Sequence, residues 1–201
     1  MGLALALLEI GNLGPALIVA DRCVKAAGIR IIGIESADSA AQCIKIVGPA
    51  ADVREAAEEG IRIGKLMGTT AEMTVMAAPL DETVQLASQP PVLSPLLGIY
   101  DARVPQERPM NGSDAIGLLE TQGLVAALHA TDEMLKGAAV SLVGKEKIGA
   151  AYVTIMIKGD VAAVQSAIDA GKRTVERLGG KLILADVIAR PHPELAALLP
   201  K

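Results

Sequence analysis

Displaced by 111 residues, the chain falls on itself without a gap: Ala4 to Gly68 lies over Ala115 to Gly179, and 22 of the 65 positions are identical. The identities include Glu9 with Glu120, Asp21 with Asp132, Lys25 with Lys136, Gly33 with Gly144, Glu35 with Glu146, Gly48 with Gly159 and Gly60 with Gly171. Many of the remaining pairs are exchanges among Val, Ile and Leu. After Gly68 the second copy gains one residue, and "MAAPLDE" then lies against "IARPHPE". Two copies at so long a period exclude a solenoid, which stacks several short repeats to bury a continuous core. The 201 residues therefore read as two domains, 1–87 and 115–201, joined by a linker over 88–114.

Each copy carries the same order of elements. Ala4–Glu9 reads as a short apolar strand, and Leu13–Ala27 has helical periodicity with Asp21, Arg22 and Lys25 off its apolar face. Gly28 closes that helix. Residues 29–35 and 41–47 read as strands joined by the small turn "SADSA". Gly48-Pro49 breaks the chain, 51–67 forms a second helix ended by Gly68, and 72–78 is the last strand. The second copy predicts strand 115–120, helix 124–138, strands 140–146 and 152–158, helix 161–178 and strand 182–189. The order β-α-β-β-α-β predicts an α/β (α+β) protein of two fused ferredoxin-like domains, each a four-stranded antiparallel sheet with helices on one face. Between the copies, "SQPPVLSPLLGIYDARVPQERPMNGSD" carries prolines that argue against regular structure. Its apolar residues, among them Leu93, Leu96 and Ile99, predict a segment packed on the surface as it crosses between domains.

Composition narrows the function. There is no Trp or Phe, and the only rings of the Tyr kind are Tyr100 and Tyr152, which leaves little to stack a base or a nicotinamide. A net charge of −4 gives no basic footprint for nucleic acid. Hydrophobic residues reach 51% against 21% charged, an excess whose natural outlet is a large permanent contact with other subunits. Cys23 and Cys43 stand at no metal-ligand spacing and read as inert buried thiols in a reducing cytosol. The opening "MGLALALLEIGNLGPALIVA" has no basic start, carries Glu9, and is broken by Gly11, Gly14 and Pro15. Its pattern returns at 115–130, so it reads as part of the fold, neither membrane helix nor targeting signal. His129 and His192 have no partners at catalytic or metal spacing and read as structural. No convergent acid, base or nucleophile set is visible, and "GGK" at 179–181 lacks the spacing of a phosphate loop, so neither an enzyme nor a cofactor is expected. A rival reading is a trimeric ferredoxin-like regulator that binds a small ligand between subunits. It needs a long effector loop and basic phosphate ligands, and neither is evident in the sequence.

The segments "LLETQGLVAALHATDEMLK", "EKIGAA", "KGDVAAVQSAIDAG" and "ARPH" follow one another in the second copy. The first copy keeps "LLEIGNLGPALIVADRCVKAAG" and "VGPAADVREAAEEG". With these motifs the chain resembles the bacterial microcompartment shell proteins of the tandem class, unpermuted because both copies begin with the same strand. The resemblance implies a homotrimer whose six domains form a hexagonal tile in a cytoplasmic microcompartment shell. Such a tile joins other hexameric and pentameric shell proteins, with no role for nucleic acid or membrane. It implies a pore for small polar metabolites lined by Ser36, Ala37, Asp38, Ser39 and Ala40 and by Lys147, Ile148, Gly149, Ala150 and Ala151. Ser39 and Ala150 would stand nearest the axis. Small residues suit a crowded symmetry axis, although they suit an ordinary tight hairpin as well. The family's single-domain members often carry Gly-Ser-Gly here, where this chain has Asp-Ser-Ala and Gly-Ala-Ala. Neither loop has the cysteine that an iron–sulfur cluster at the pore would need. Three Asp38 carboxylates near one axis would favour neutral or cationic solutes over anions. The resemblance also implies tile-edge roles for Lys25, Lys136 and Arg190; the first copy has Ala78 where the second has Arg190, so the two edges differ.

Overall fold

The computed structural model describes residues 3–36, 41–88, 102–103, 114–196 and 199. The chain divides into two compact units, Met1–Arg108 and Pro109–Lys201. In the first, the order is β1 (Ala4–Gly11), α1 (Leu13–Ala26), β2 (Arg30–Ser36), β3 (Ala41–Gly48), α2 (Ala50–Leu66), β4 (Ala71–Met76), α3 (Asp81–Ser88) and β5 (Ala102–Arg103). The second unit holds β6 (Ala115–Gln122), α4 (Leu124–Gly137), β7 (Val140–Lys147), β8 (Tyr152–Gly159), α5 (Val161–Arg177), β9 (Lys181–Ile188) and α6 (Pro193–Ala196).

Both sheets are antiparallel, in the orders β4-β1-β3-β2-β5 and β7-β8-β6-β9. Their four common strands make the ferredoxin-like arrangement expected from the element order. β1 and β6 are central, which is why they read as apolar runs and lack a clean alternation. On β1, Leu8 faces the helices, and a Cβ at Gly60 of α2 would lie 2.6 Å from Leu8 Cδ2 and 2.7 Å from Cys23 Sγ. The same approach recurs in the second unit, where a Cβ at Gly171 would stand 2.7 Å from Met134 Sδ. The repeated glycine therefore lets a helix lie close upon its neighbours, which suits cores built almost entirely from Ala, Val, Ile and Leu. α2 ends at Gly68, whose φ of +71° is the left-handed cap that glycine adopts freely. α5 begins with the Asp160 carboxylate accepting from the Ala162 amide at 2.9 Å.

Four details depart from the expectation. Ala102–Arg103, inside the proline-bearing linker, forms a fifth strand on the free edge of β2, because an unpaired edge is satisfied by any short extended segment that reaches it. The sequence reading also missed α3. Its C-terminal carbonyl of Ala87 accepts from Lys45 Nζ at 3.0 Å, and Lys45 is ion-paired with Glu35. α1 leaves through an extended Ala27, so Gly28 does not close the helix in a left-handed turn. Finally, Asp21 is buried, not turned off the apolar face, and its carboxylate is met by Lys25 Nζ at 2.5 Å. Among the described residues no helix is long and apolar enough to cross a membrane.

Candidate functional site

Ser36 closes β2 and Ala41 opens β3, so the first inter-strand loop is short. Ala37, Asp38, Ser39 and Ala40 lie outside the described residues. At its base Gln42 donates from Nε2 to Ser36 Oγ at 3.1 Å and to the Ala41 carbonyl at 3.0 Å. In the second unit Lys147 is the last residue of β7 and belongs to the strand, which leaves residues 148–151 as the loop.

The second loop is tied at three of its carbonyls. Tyr152 N–H donates to the Gly149 carbonyl at 2.8 Å and closes a turn. Its central residues Ala150 and Ala151 have φ of 44° and 63°, the signs of a type I′ turn, after Gly149 at φ 90°. The left-handed region costs a non-glycine residue roughly 1–2 kcal/mol, so this Ala-Ala pair is held against its own preference. What holds it lies at the end of β6 and the cap of α4: Gly123 N–H donates to the Ala151 carbonyl at 2.8 Å, and Gln122 Nε2 to the Ala150 carbonyl at 3.1 Å. Lys181 Nζ in turn donates to Gln122 Oε1 at 2.9 Å. Sequence reasoning singled out neither Gln122 nor Lys181; they are 59 residues apart and meet only through the β6–β9 register.

Lys25 and Lys136 occupy the last turns of α1 and α4, each 2.5 Å from an aspartate one turn earlier, Asp21 and Asp132. Hydrogen bonding to Asp132 raises the pKa of Lys136. Arg190 lies exposed just beyond β9. His192 accepts from the Glu194 amide through Nδ1 at 3.3 Å, and His129 Nε2 stands 3.7 Å from Glu133 Oε1 across one turn of α4. Among the described residues no three His, Cys, Asp or Glu side chains could jointly hold a metal ion.

Burial pushes the Cys23 thiol up to about 12, with the Glu59 carboxylate adding to the shift. Half-buried Cys43 is also raised, by burial first and then by Glu35 and Glu9, while Lys45 pulls the other way. At pH 8 an alkylating reagent is expected to leave Cys23 unmodified in the folded chain and to modify it in denaturant, which intact mass would show. Because the folded value of Cys23 lies above its ordinary 9.0, the stability held by the neutral thiol is whole below pH 9. It is lost as the pH rises toward about 12.

The repeated helices are unequally covered. Leu13 and Leu17 expose 0% and 1% of their surface, whereas their repeat counterparts Leu124 and Leu128 expose 39% and 48%; on the strands, Ile31 of β2 exposes 3% and its counterpart Leu142 of β7 49%. Val125, beside Leu124, is 83% exposed. The second unit thus carries an open apolar stripe where the first unit has a covered one, an asymmetry that a sequence with Leu at both positions does not reveal.

Comparison with known proteins meets this geometry in both units. The BMC domain family matches residues 4–79 and 115–191. The chain is 46% identical over 87 residues to the carboxysome shell protein CsoS1C of Halothiobacillus neapolitanus, covering 43% of this chain and 89% of that one. It is also 46% identical over 85 residues to the carboxysome shell protein CsoS1 of Prochlorococcus marinus, covering 42% and 82%. A solved microcompartment protein from Desulfitobacterium hafniense covers 98% of this chain and 99% of its own, at 20% identity and a TM-score of 0.41. Two family matches, each spanning one complete β-α-β-β-α-β unit, place the chain in the BMC-domain family as a tandem-domain shell protein.

Proposed function

We propose that three copies of the chain close a ring of six BMC domains to form one tile of a microcompartment shell. The turns at 36–40 and 147–151 then surround an opening on the axis that passes small polar metabolites. The observation that carries this reading is the unequal cover of the repeated helix face. A stripe that is covered on α1 and open on α4 suits a ring in which the second unit of each chain docks on a neighbouring copy. The apolar excess of the composition supports the same contact. Ser39 and Ala150 stand nearest the axis, with Asp38 and Gly149 just before them. The tile is a structural part and performs no chemistry of its own.

Lys25, Lys136 and Arg190 mark the rim, where the tile meets other shell proteins. The aspartates Asp21 and Asp132 fix the two lysines in the last helical turn, where a cation is also favoured by the helix dipole. Light scattering is expected to give three times 20.6 kDa; a stable monomer or a six-chain ring would end the trimer reading. Lys136→Asp loses an exposed ion pair that contributes little, whereas Lys25→Asp sets a second carboxylate beside buried Asp21 and costs about 1–3 kcal/mol; the double variant should melt lower than the parent and remain a trimer. Under the electron microscope it should fail to form the extended sheets of the parent. Sheets formed as readily by the variant would remove these lysines from the rim.

A further inference from the structure

We propose that Gln122, braced by Lys181, is the positioning residue of the second-unit turn. It ties one lone pair of the Ala150 carbonyl oxygen to β6, so that this oxygen is a weaker ligand for a passing cation. The chain of donors has one direction. An ammonium has only hydrogens to give, so Lys181 Nζ at 2.9 Å fixes Oε1 as the side of the Gln122 amide that faces it. Nε2 is thereby turned to the Ala150 carbonyl, 3.1 Å away. The Gly149 and Ala151 carbonyls are already taken by Tyr152 N–H and Gly123 N–H, each at 2.8 Å. All three carbonyls of the turn are therefore engaged by the protein's own donors. Ala150 and Ala151 sit at positive φ, a conformation that two alanines do not hold by preference, and Gln122 supplies one of the bonds that hold it.

The first unit cannot carry the same device. Its counterpart of Gln122 is Gly11, where a Cβ would lie 2.6 Å from both Thr69 Oγ1 and Thr70 Oγ1. Thr70, the counterpart of Lys181 in the strand register, accepts the Gly11 amide through its carbonyl at 2.9 Å, and Thr69 donates its hydroxyl to the Gly11 carbonyl at 2.8 Å. The holder is thus a property of one copy only. In the ring of six domains proposed above, on which the solute part of this inference rests, every second turn would have its carbonyls already engaged by a protein donor. Carbonyl oxygens are what replace the hydration shell of a cation in a narrow passage, so occupying one lone pair of each with a protein donor weakens them as cation ligands there.

The test uses the intact chain and two readouts. Gln122→Met keeps the length of the side chain and removes both its hydrogen bonds; Lys181→Met removes only the brace, and Lys181→Arg restores a donor. Hydrogen exchange of the Gly123 and Tyr152 amides, whose acceptors are the turn carbonyls, is expected to quicken roughly three- to tenfold in Gln122→Met. It should quicken less in Lys181→Met and stay near parent in Lys181→Arg. Exchange along the β6–β8 ladder at Ile116–Leu119 should not change, which separates positioning from general loosening. Passage of a small amine relative to a carboxylate of equal size, through the assembled protein, should rise in Gln122→Met. Parent-like exchange at Gly123 and Tyr152 in Gln122→Met overturns the proposal. Faster exchange with an unchanged passage ratio keeps Gln122 as the positioning residue and ends the pore reading of this turn.

Discussion

Leu128→Asp is expected to yield a folded chain that no longer assembles. Leu128 is 48% exposed on α4, so a carboxylate there reaches water and the unit should keep its stability to within about 0.5 kcal/mol. In the proposed ring the same residue is covered by a neighbouring copy, as its counterpart Leu17 is covered in the first unit. Each of three seams then loses the roughly 1.5–3 kcal/mol of a buried leucine and gains an unpaired carboxylate withdrawn from water, which costs more. Light scattering should fall from three times 20.6 kDa to 20.6 kDa at micromolar concentration, with the far-UV dichroism unchanged. The repeat counterpart supplies the control. Leu17, 1% exposed, should respond to Asp by unfolding, since removal of a buried leucine alone costs about 2–5 kcal/mol. A Leu128→Asp chain that still ran as a trimer would detach the open stripe from assembly.

Gly117→Val should give the largest loss of stability from a single added side chain in the second unit. A Cβ at Gly117 would lie 2.8 Å from Ile157 Cγ1 and Val164 Cγ1 and 2.9 Å from Ile168 Cγ1. These are three branched side chains in a close-packed core, with little room to turn away. Overpacking of this kind costs about 1–3 kcal/mol, a fall in melting temperature of roughly 2–12 °C for a chain of this size. The first unit shows what the compensation looks like. It has Ala6 at the position of Gly117 and Ala57 at that of Ile168, so one copy gains a methyl on the strand where the other gains a larger group on the helix. Adding Ile168→Ala to Gly117→Val should therefore recover stability, although Ile168→Ala alone opens a cavity and destabilises. If the two losses simply added, the pair would not be sharing one volume.

Much of this was legible because the repeat doubles every local signal. Gly60 and Gly171 recur because each lets a helix approach its sheet, and Gly68 recurs in Gly179 because each sits at positive φ after a helix. Periodicity gave the strand and helix order for the same reason. It failed where a tertiary partner decides: Asp21 lies on the polar side of α1 by spacing, yet it is buried and paired. α3 has only 8 residues and no buried positions, so its pattern is too short to stand out, and its anchor is Lys45 on a distant strand. The site divides in the same way. The position of the turns follows from the strand order, whereas Gln122 and Lys181 become partners only when the β6–β9 register brings them together.

Gly11 and Gln122 also bear on inheritance. One lies between the Thr69 and Thr70 hydroxyls, which any added side chain would have to displace; the other needs a long amide to reach the Ala150 carbonyl. Had the gene encoded a single copy, both requirements would fall on the same codon, and every substitution would appear at all six places of a ring at once. With the copies joined in one reading frame, a mutation reaches alternate places only, and selection can act on each set of three without disturbing the other.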